Sequence, residues 1–524
     1  MSKKYDSNQT LQQKILEGVN ILADNVASTL GPRGRNVILH QKGKGPIITK
    51  DGVTVASFVE LDDPIQNLGA QIIKEASTQT NNVAGDGTTT ATVIARSILQ
   101  HAQKYISAGV PPIEIKRGVD RAVEAVCIGL DEIASPVKSL EEVENVATIS
   151  ANGDSNIGKM IAMAMDAIGK DGTVTIEQGR STETVVDIIE GFRFEGGFCA
   201  NAFVTDERKN IAQHRDVLIL VTDCAIESVE QMLPTLELAA RSGKPLIVVA
   251  DSIEGQALAA LIMNTVRGTM RVVGVKPPAY GEERRNILSD LAAATGATFI
   301  TRETSQSLQE IKLEHLGTAE SIEVLKNSTT VVAAGGDPAL VDDRIESLKN
   351  LIKQTDDMMV CERIQERIMR LSSAVAVIKV GAPTEIEMTE KKHRIEDALE
   401  AVRSAQLEGV VAGGGTALIR ASRRLGLLKT ITEGEQIGVN ILKAATRAPL
   451  RQMATNAGQS ADIVMKVVEK QRTAKGYDFS SDKVVNMIEA GIIDPVKVTK
   501  TALRNAASVA STLITTNYAI VDVE

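Results

Sequence analysis

Tryptophan is absent from these 524 residues and aromatic side chains make up only 2% of them, so large rings cannot carry the cores. Ala, Val, Ile and Leu must fill them, which suits long helices packed closely on one another. Basic charge is in short supply as well. The 58 Lys and Arg stand against 67 Asp and Glu, a formal charge of -9, which leaves no electrostatic footprint for nucleic acid or an anionic membrane. The opening stretch Met1-Ser2-Lys3-Lys4-Tyr5-Asp6-Ser7-Asn8 lacks the apolar segment of a secretory signal, and no apolar run has the length of a bilayer span. Cys127, Cys199, Cys224 and Cys361 lie far apart, with no Cys-x-x-Cys pair and no His at ligand spacing. They read as free thiols in a reducing compartment, and the expected location is cytoplasmic. What is present is ordinary for a globular protein, 43% hydrophobic and 24% charged, which excludes disorder as the main theme. The length predicts two or three domains.

Apolar residues recur at Leu11, Ile15, Val19, Leu22, Val26 and Leu30, the spacing of one helix face, and Gly31-Pro32 ends that helix. A short strand over 36–40 leads through a Gly-Lys-Gly turn to 46–49, predicting a hairpin before the Lys50-Asp51-Gly52 corner. Helices are expected over 67–84, 88–108 and 112–133. The middle changes character. Continuous apolar runs at 217–221, 246–250 and 272–275 alternate with helical stretches at 227–241, 256–267 and 283–294, the rhythm of a buried parallel sheet with right-handed crossovers. Two helices over 338–371 suggest an antiparallel hairpin. From 391 to 511 the pattern is helical again, broken by Gly413-Gly414-Gly415, and 517–524 reads as a closing strand. Helical ends around an α/β middle make the middle an insertion, with the outer segments meeting in space. The expected class is a multidomain α plus α/β fold.

The sharpest local signal is Gly85-Asp86-Gly87-Thr88-Thr89-Thr90 at the start of an apolar helix. Glycines let backbone amides approach a phosphate, the helix N-terminus adds partial positive charge, and hydroxyls can bond phosphate oxygens. Asp86 supplies an oxygen ligand suited to Mg2+. Taken alone, the segment reads sooner as an ordinary helix start than as a binding site, and it is not a Walker A sequence, since no Gly-Lys-Ser/Thr follows. Thr29-Leu30-Gly31-Pro32 is a second glycine turn at a helix end, Lys50-Asp51-Gly52 sets a cation beside a carboxylate, Gly413-Gly414-Gly415 invites close backbone approach, and Asp494-Pro495 opens a helix. Each is weak by itself.

Together and in this order, these segments resemble the group I chaperonins (the Hsp60 class) over essentially the whole chain. Lys379-Val380-Gly381, Glu396-Asp397-Ala398-Leu399 and Lys497-Val498-Thr499 add to the match. The resemblance implies a helical equatorial domain from 1–132 and 408–524, a small intermediate domain from 133–189 and 376–407, and an inserted α/β apical domain from 190–375. It implies an ATP site in which Thr29, Leu30, Gly31 and Pro32 wrap the phosphates, Gly87, Thr88, Thr89 and Thr90 cradle them, and Asp86 holds Mg2+. Lys50 would lie near the phosphates, with Thr29, Lys50 and Thr89 near a K+ site. Gly414 and Asp494 would contact sugar and base, and Ile149, Ser150, Asp478, Phe479, Ser480 and Ile492 would line the base pocket. Asp397 would orient or deprotonate the attacking water, assisted by Asp51. Without the surrounding match, Asp397 reads as a solvated helix residue amid Lys392, Arg394 and Glu396. In the apical segment Leu233, Leu236, Leu258, Ile262 and Met263, with Phe198 and Phe203 on a nearby loop, match the family's surface for unfolded polypeptide; periodicity alone would equally make them core. The implied assembly is a homo-oligomeric ring of seven, single or double, with or without a small co-chaperonin lid.

Several positions depart from the family pattern. One apical hinge keeps Gly191, while the other, usually a glycine pair, is Ser373-Ala374, which predicts a stiffer or differently moving hinge. The capture loop reads Ala200-Asn201-Ala202-Phe203 and is short of one aromatic. Gly196 replaces the arginine that pairs with the glutamate matched by Glu385, and Asp478-Phe479-Ser480 replaces small and amide residues. Arg451 is retained, but its acidic partner across rings corresponds to Ser460, which points to a single-ring assembly. The usual Gly-Gly-Met tail does not follow, the chain stopping at Glu524. Such divergence fits a viral or otherwise specialised member. Two other readings compete: a small-molecule transferase using Asp86 and Asp397, for which no further nucleophile or His/Cys constellation is evident, and a scaffolding oligomer that binds ATP without folding-chamber activity.

Overall fold

The helix predicted from Leu11 runs over Asn8–Ala27 and fully buries Leu11, Val19, Leu22 and Val26. Leu30 falls beyond its end, because the chain has already turned at Ser28 toward Gly31. The structure, a computed structural model, describes residues 2–40, 46–168, 173–179, 181–207, 210–303, 308–354, 358–372, 374–472 and 474–523. These residues divide into two compact units, one of 1–163, 176–185 and 379–524, the other of 164–175 and 186–378.

The first unit is built from both ends of the chain. Helices Pro64–Ala84, Thr88–Ser107 and Pro112–Ile133 from the first part pack with Glu433–Ala445 and Val496–Thr515 from the last. Ala70, Ala95, Ala102, Ala122, Ala506 and Ala510 share one core with Ile73, Ile98, Leu130 and Leu442. Small side chains at the crossings bring the helices close, which is how a core almost free of rings reaches normal density. Small two-stranded sheets decorate this unit. Val37–Leu39 pairs with Ile47–Thr49 as the expected hairpin, whose Gly-Lys-Gly turn lies outside the described residues. Tyr518–Val523 is the expected closing strand, and it pairs antiparallel with Ser2–Ser7.

The last quarter is less helical than its sequence pattern suggests. Lys475–Asp478 and Lys483–Asn486 form an antiparallel hairpin, and Ile493–Pro495 pairs with Val410–Ala412. The hairpin turn is fixed locally. Asp478 accepts from the Ser480 amide at 2.8 Å and the Ser481 hydroxyl at 2.5 Å, and Asp482 takes a left-handed φ of 56°, the kind of side-chain closure that competes with helix.

The second unit carries a mixed sheet in which the three strands read from the sequence are parallel, as expected, and further strands run antiparallel. Val272–Val275, Leu246–Val249 and Ala212–Val221 are parallel neighbours, whereas Gly317–Val324, Thr329–Ala334 and Val185–Phe194 continue it antiparallel. The parallel strands are the three joined through helices Val229–Ser242 and Gly255–Val266, while the antiparallel set includes the short reversal between Val324 and Thr329. Helix Gly281–Thr295 packs with Pro338–Gln354 and Met358–Leu371, tied by an ionic cluster. Asp290, 1% exposed, accepts from Arg367 Nε at 2.7 Å and Nη2 at 2.8 Å and from Arg344 Nε at 3.0 Å.

Phe192, Phe194, Phe198 and Phe203 all lie in this unit's core. Phe198 and Phe203 are 4% and 0% exposed and Leu236 is 7% exposed, so these three, expected on a client-binding surface, are core residues here. With so few rings available, the sheet uses them as packing volume. Gly191 sits inside strand Val185–Phe194, opposite Val332. Gly196 lies where a Cβ would stand 2.3 Å from the Lys276 carbonyl oxygen, so this backbone leaves no room for the family's arginine. Ser373 lies outside the described residues. Among the described residues, no helix is long and apolar enough to cross a membrane.

Candidate functional site

Helix Pro64–Ala84 ends at Gly85 in the left-handed region, and Gly87, φ 84°, turns the chain directly into helix Thr88–Ser107. A Cβ on Gly87 would come 2.7 Å from Val498 Cγ1, so glycine is what lets this turn sit against helix Val496–Thr515. Gly52 plays the same part for the Lys50-Asp51-Gly52 corner, where a Cβ would come 2.4 Å from Thr89 Oγ1. Thr29 and Thr89 hydroxyls then lie 3.3 Å apart, and Lys50 Nζ donates to the Gly31 carbonyl at 3.4 Å. Hydroxyls, a helix N-terminus and an ammonium thus converge on one space. Burial, with Arg394 nearby, holds the Lys50 pKa below its ordinary value.

Two carboxylates border this space in different ways. Asp51 caps helix Gly52–Phe58, accepting from the Val53 and Thr54 amides at 3.1 Å each and from the Thr54 hydroxyl. Asp86 accepts from the Ser150 hydroxyl at 2.9 Å and from the Gly87 amide. Loss of solvation pushes the Asp86 carboxyl above the usual carboxylate range despite those two bonds, and the Asp51 charge adds to the push.

A register places the next group. Val411 pairs opposite Asp494 and Ala412 opposite Ile493, which brings the glycine turn at 413–415 beside Asp494 although they are far apart in sequence. The Gly414 amide donates to Asp494, yet burial and the Asp86 charge push this carboxyl up to about 7. An unfolded Asp loses its proton near 3.8. Between those values the folded state binds the extra proton, so stability is lost as pH rises through that window. Asp494→Asn keeps the acceptor without the charge. In nucleotide-free protein its Tm is expected to exceed the parent's at pH 8, with the gap closing toward pH 4 in scanning calorimetry; a gap independent of pH would contradict this.

Helix Glu385–Glu408 lies over the same space, capped by Thr384 and fixed near its other end by a Ser404 hydroxyl bond to the Ala84 carbonyl at 3.2 Å. Glu390, His393, Arg394 and Asp397 all line the cleft, as spacings of three, four and seven require of one helix face. Arg394 is held by Glu390 at 2.5 Å and Asp154 at 3.4 Å, and Lys392 pairs with Glu396 at 3.8 Å. The cleft so formed lies wholly in the first unit and encloses about 300 Å3.

The family model described as the TCP-1/cpn60 chaperonin family matches residues 22–524. The chain belongs to this family. Its architecture is the chaperonin fold, similar to the chaperonin gp146 from the bacteriophage EL 2 (Pseudomonas aeruginosa), solved in the presence of ATP-BeFx, with a TM-score of 0.67 and 20% identity over 99% of this chain and 99% of that one.

In this chaperonin the residues singled out in sequence for the nucleotide line one cleft: Thr29, Leu30, Gly31, Pro32, Lys50, Asp86, Gly87, Thr88, Thr89, Thr90, Ile149, Ser150, Gly414, Asp478, Phe479, Ser480, Ile492 and Asp494, with Asp51 and Asp397. Sequence reasoning missed Asn152, Glu390, His393, Arg394, Met453, Tyr477 and Met487, which line it too. Helical spacing from Asp397 could have found the three on its own helix. Tyr477 and Met487 had no such signal, because the hairpin was read as helix. In the second unit, Leu233 and Met263 are 50% and 51% exposed, and Leu258 and Ile262 are half-buried. They sit on the neighbouring helices Val229–Ser242 and Gly255–Val266, where Val266 adds a further exposed side chain.

Proposed function

We propose that this chaperonin is an ATP-hydrolysing folding machine that captures non-native polypeptide on apolar apical surfaces and releases it for refolding in a ring-shaped chamber in the cytoplasm. One observation carries the reading: segments from both ends of the chain meet in one cleft that joins a helix N-terminus, hydroxyls and Lys50 to Asp86 and Asp397. Amides and hydroxyls at a helix start suit a triphosphate. Within this reading residues 1–132 and 408–524 are the equatorial domain, 133–189 and 376–407 the intermediate domain and 190–375 the apical domain.

The cleft fits Mg2+ in a particular way. Among the described residues no three His, Cys, Asp or Glu side chains gather to hold a metal unaided, but Asp86 is a carboxylate whose charged form is disfavoured by burial and by Asp51. Mg2+ commonly takes one or two carboxylates and completes its shell with phosphate oxygens and water. Asp86 would hold the ion, which supplies charge neutralisation to the phosphates. The Thr29 and Thr89 hydroxyls, 3.3 Å apart, would offer oxygens to K+, with Lys50 in the same cleft. Asp397 would act on the attacking water and Asp51 would support that role.

Leu233 and Met263 support client capture, since exposed apolar side chains on neighbouring helices recognise hydrophobicity without reading sequence. Leu233→Asp with Met263→Asp is expected to weaken suppression of aggregation of a denatured enzyme several-fold while ATP turnover persists. Unchanged suppression in a light-scattering assay would remove these two residues from the capture surface. The assembly proposed is a homo-oligomeric ring of seven; self-association draws support from apolar side chains left exposed on the first unit, among them Ile38, Ile48, Tyr518 and Ile520. Arg451 bonds Asp462 of its own chain at 2.7 Å, so a contact between two rings would start from an arginine already paired, consistent with a single ring. Neither nucleic acid nor membrane has a part in this reading, and a small co-chaperonin lid is an optional partner. Electron microscopy with and without ATP, alongside refolding of a denatured enzyme, tests the whole: rings that neither change with ATP nor refold the enzyme would favour a scaffold.

A further inference from the structure

One end of helix Glu385–Glu408 is fixed on the glycine turn that starts helix Thr88–Ser107. A Cβ on Gly85 would come 2.1 Å from Glu400 Cβ, and the Ser404 hydroxyl bonds the Ala84 carbonyl at 3.2 Å. Spacings of three and four carry the same stripe from Ser404 through Glu400 and Asp397 to His393 and Glu390. The side of the helix that lies on the turn therefore continues over the cleft, with His393 about two turns, roughly 10 Å, along the axis from Glu400. Among the described residues, the cleft-lining side chains able to carry positive charge are Lys50, His393 and Arg394. Arg394 is committed, held by Glu390 at 2.5 Å and by Asp154 at 3.4 Å. Those pairs steady the helix and occupy the guanidinium. Lys50 comes from the corner at 50–52, its ammonium donating to the Gly31 carbonyl at 3.4 Å. An imidazole has two ring nitrogens, so it can be held through one and donate through the other.

We propose that His393 is a further catalytic residue, whose ring N–H donates to an oxygen of the terminal phosphoryl group while that group transfers from ADP to water beside Asp397. This rests on the nucleotide reading above. In hydrolysis the water oxygen bonds the terminal phosphorus, the bond from that phosphorus to the bridging oxygen breaks with its electron pair leaving on ADP, and the proton of the water passes to Asp397. Charge spreads over the three remaining phosphoryl oxygens during this step. The amides at the start of helix Thr88–Ser107 and Lys50 belong to one wall of the cleft, whereas His393 belongs to the helix that carries Asp397. Donor and carboxylate therefore arrive as one rigid pair. A fixed donor placed where charge develops acts on the transition state more than on bound ATP.

Calorimetry and single-turnover phosphate release on the full-length protein test this. His393→Ala is expected to bind ATP and ADP, each with Mg2+, with little loss and to release phosphate about a hundredfold more slowly. It should also bind ADP with aluminium fluoride, a mimic of the phosphoryl group in transfer, about a hundredfold more weakly. His393→Gln keeps an N–H donor and should restore much of both. Unchanged phosphate release in His393→Ala would overturn the proposal while leaving the nucleotide reading in place, which Asp397→Ala tests separately. So would His393→Gln as slow as His393→Ala, or a loss of ADP affinity as large as the loss for ADP with aluminium fluoride, which would make His393 a prop for the helix. Failure of the parent to bind ATP or to cleave it would bring down the nucleotide reading itself, and this inference with it.

Discussion

Asp397→Ala is expected to bind ATP with little loss and to hydrolyse it about 10^2- to 10^4-fold more slowly, the range a positioned general base or water-orienting carboxylate contributes. Asp397 stands one helical turn beyond His393 on the face of Glu385–Glu408 that lines the cleft. The basic residues beside it, Lys392 and Arg394, are engaged with Glu396 and with Glu390 and Asp154. Removing the carboxylate should therefore leave the helix and the phosphate-facing groups where they are. Single-turnover phosphate release measured beside calorimetric ATP binding separates the two effects, and unchanged turnover would remove Asp397 from the reaction. Asp51 would be a poorer first target. Both of its carboxylate oxygens cap helix Gly52–Phe58, and losing such a cap costs about 1 kcal/mol, so an alanine there mixes chemistry with local unfolding.

The largest effect on stability is expected at Asp290. Its carboxylate is enclosed by Arg367, which grips it through two nitrogens, and by Arg344, which also donates to the Ser289 hydroxyl at 3.2 Å. Asp290→Ala would leave the Arg367 guanidinium, whose side chain is 10% exposed, as an uncompensated charge between three helices. Breaking a buried pair from one side costs about 3–5 kcal/mol. Because the protein has no tryptophan, the readout is urea unfolding followed by far-UV circular dichroism. Loss of an early cooperative step, with the rest of the transition unmoved, is the expected result. A shift below about 1 kcal/mol would mean that the three side chains behave like an exposed pair.

Helix faces were legible in the sequence because their signal is local. Pro112–Ile133 has the bounds that its apolar period and its proline predict, and the glycine-rich turn at 85–87 marks a helix start in both. The parallel run of the strands at 212–221, 246–249 and 272–275 was legible too, from the helical stretches between them. The antiparallel strands Gly317–Val324 and Thr329–Ala334 were not, since a plain apolar run carries no direction. Nor could periodicity tell which apolar residues of a half-buried helix face water. Leu233 and Leu236 lie one turn apart on the same helix, one half exposed and the other in the core. The candidate cleft was legible from its glycines, hydroxyls and carboxylates, whose chemistry is written in their types. Its Tyr477 and Met487 lining was not, since it depends on a hairpin closed by the Asp478 side chain.

Helix Val496–Thr515 contributes Val496, Leu503, Ala506, Ala510 and Ile514 to a core otherwise made largely by the first third of the chain. During synthesis the ribosome must therefore deliver residues 496–515 before those early helices find their cover, while 186–378 can already close upon itself. The candidate cleft, lined by Val498, Thr499 and Ala502 of this same helix, consequently matures late. A molecule interrupted anywhere upstream of residue 496 would display sticky early helices and an unfinished candidate cleft.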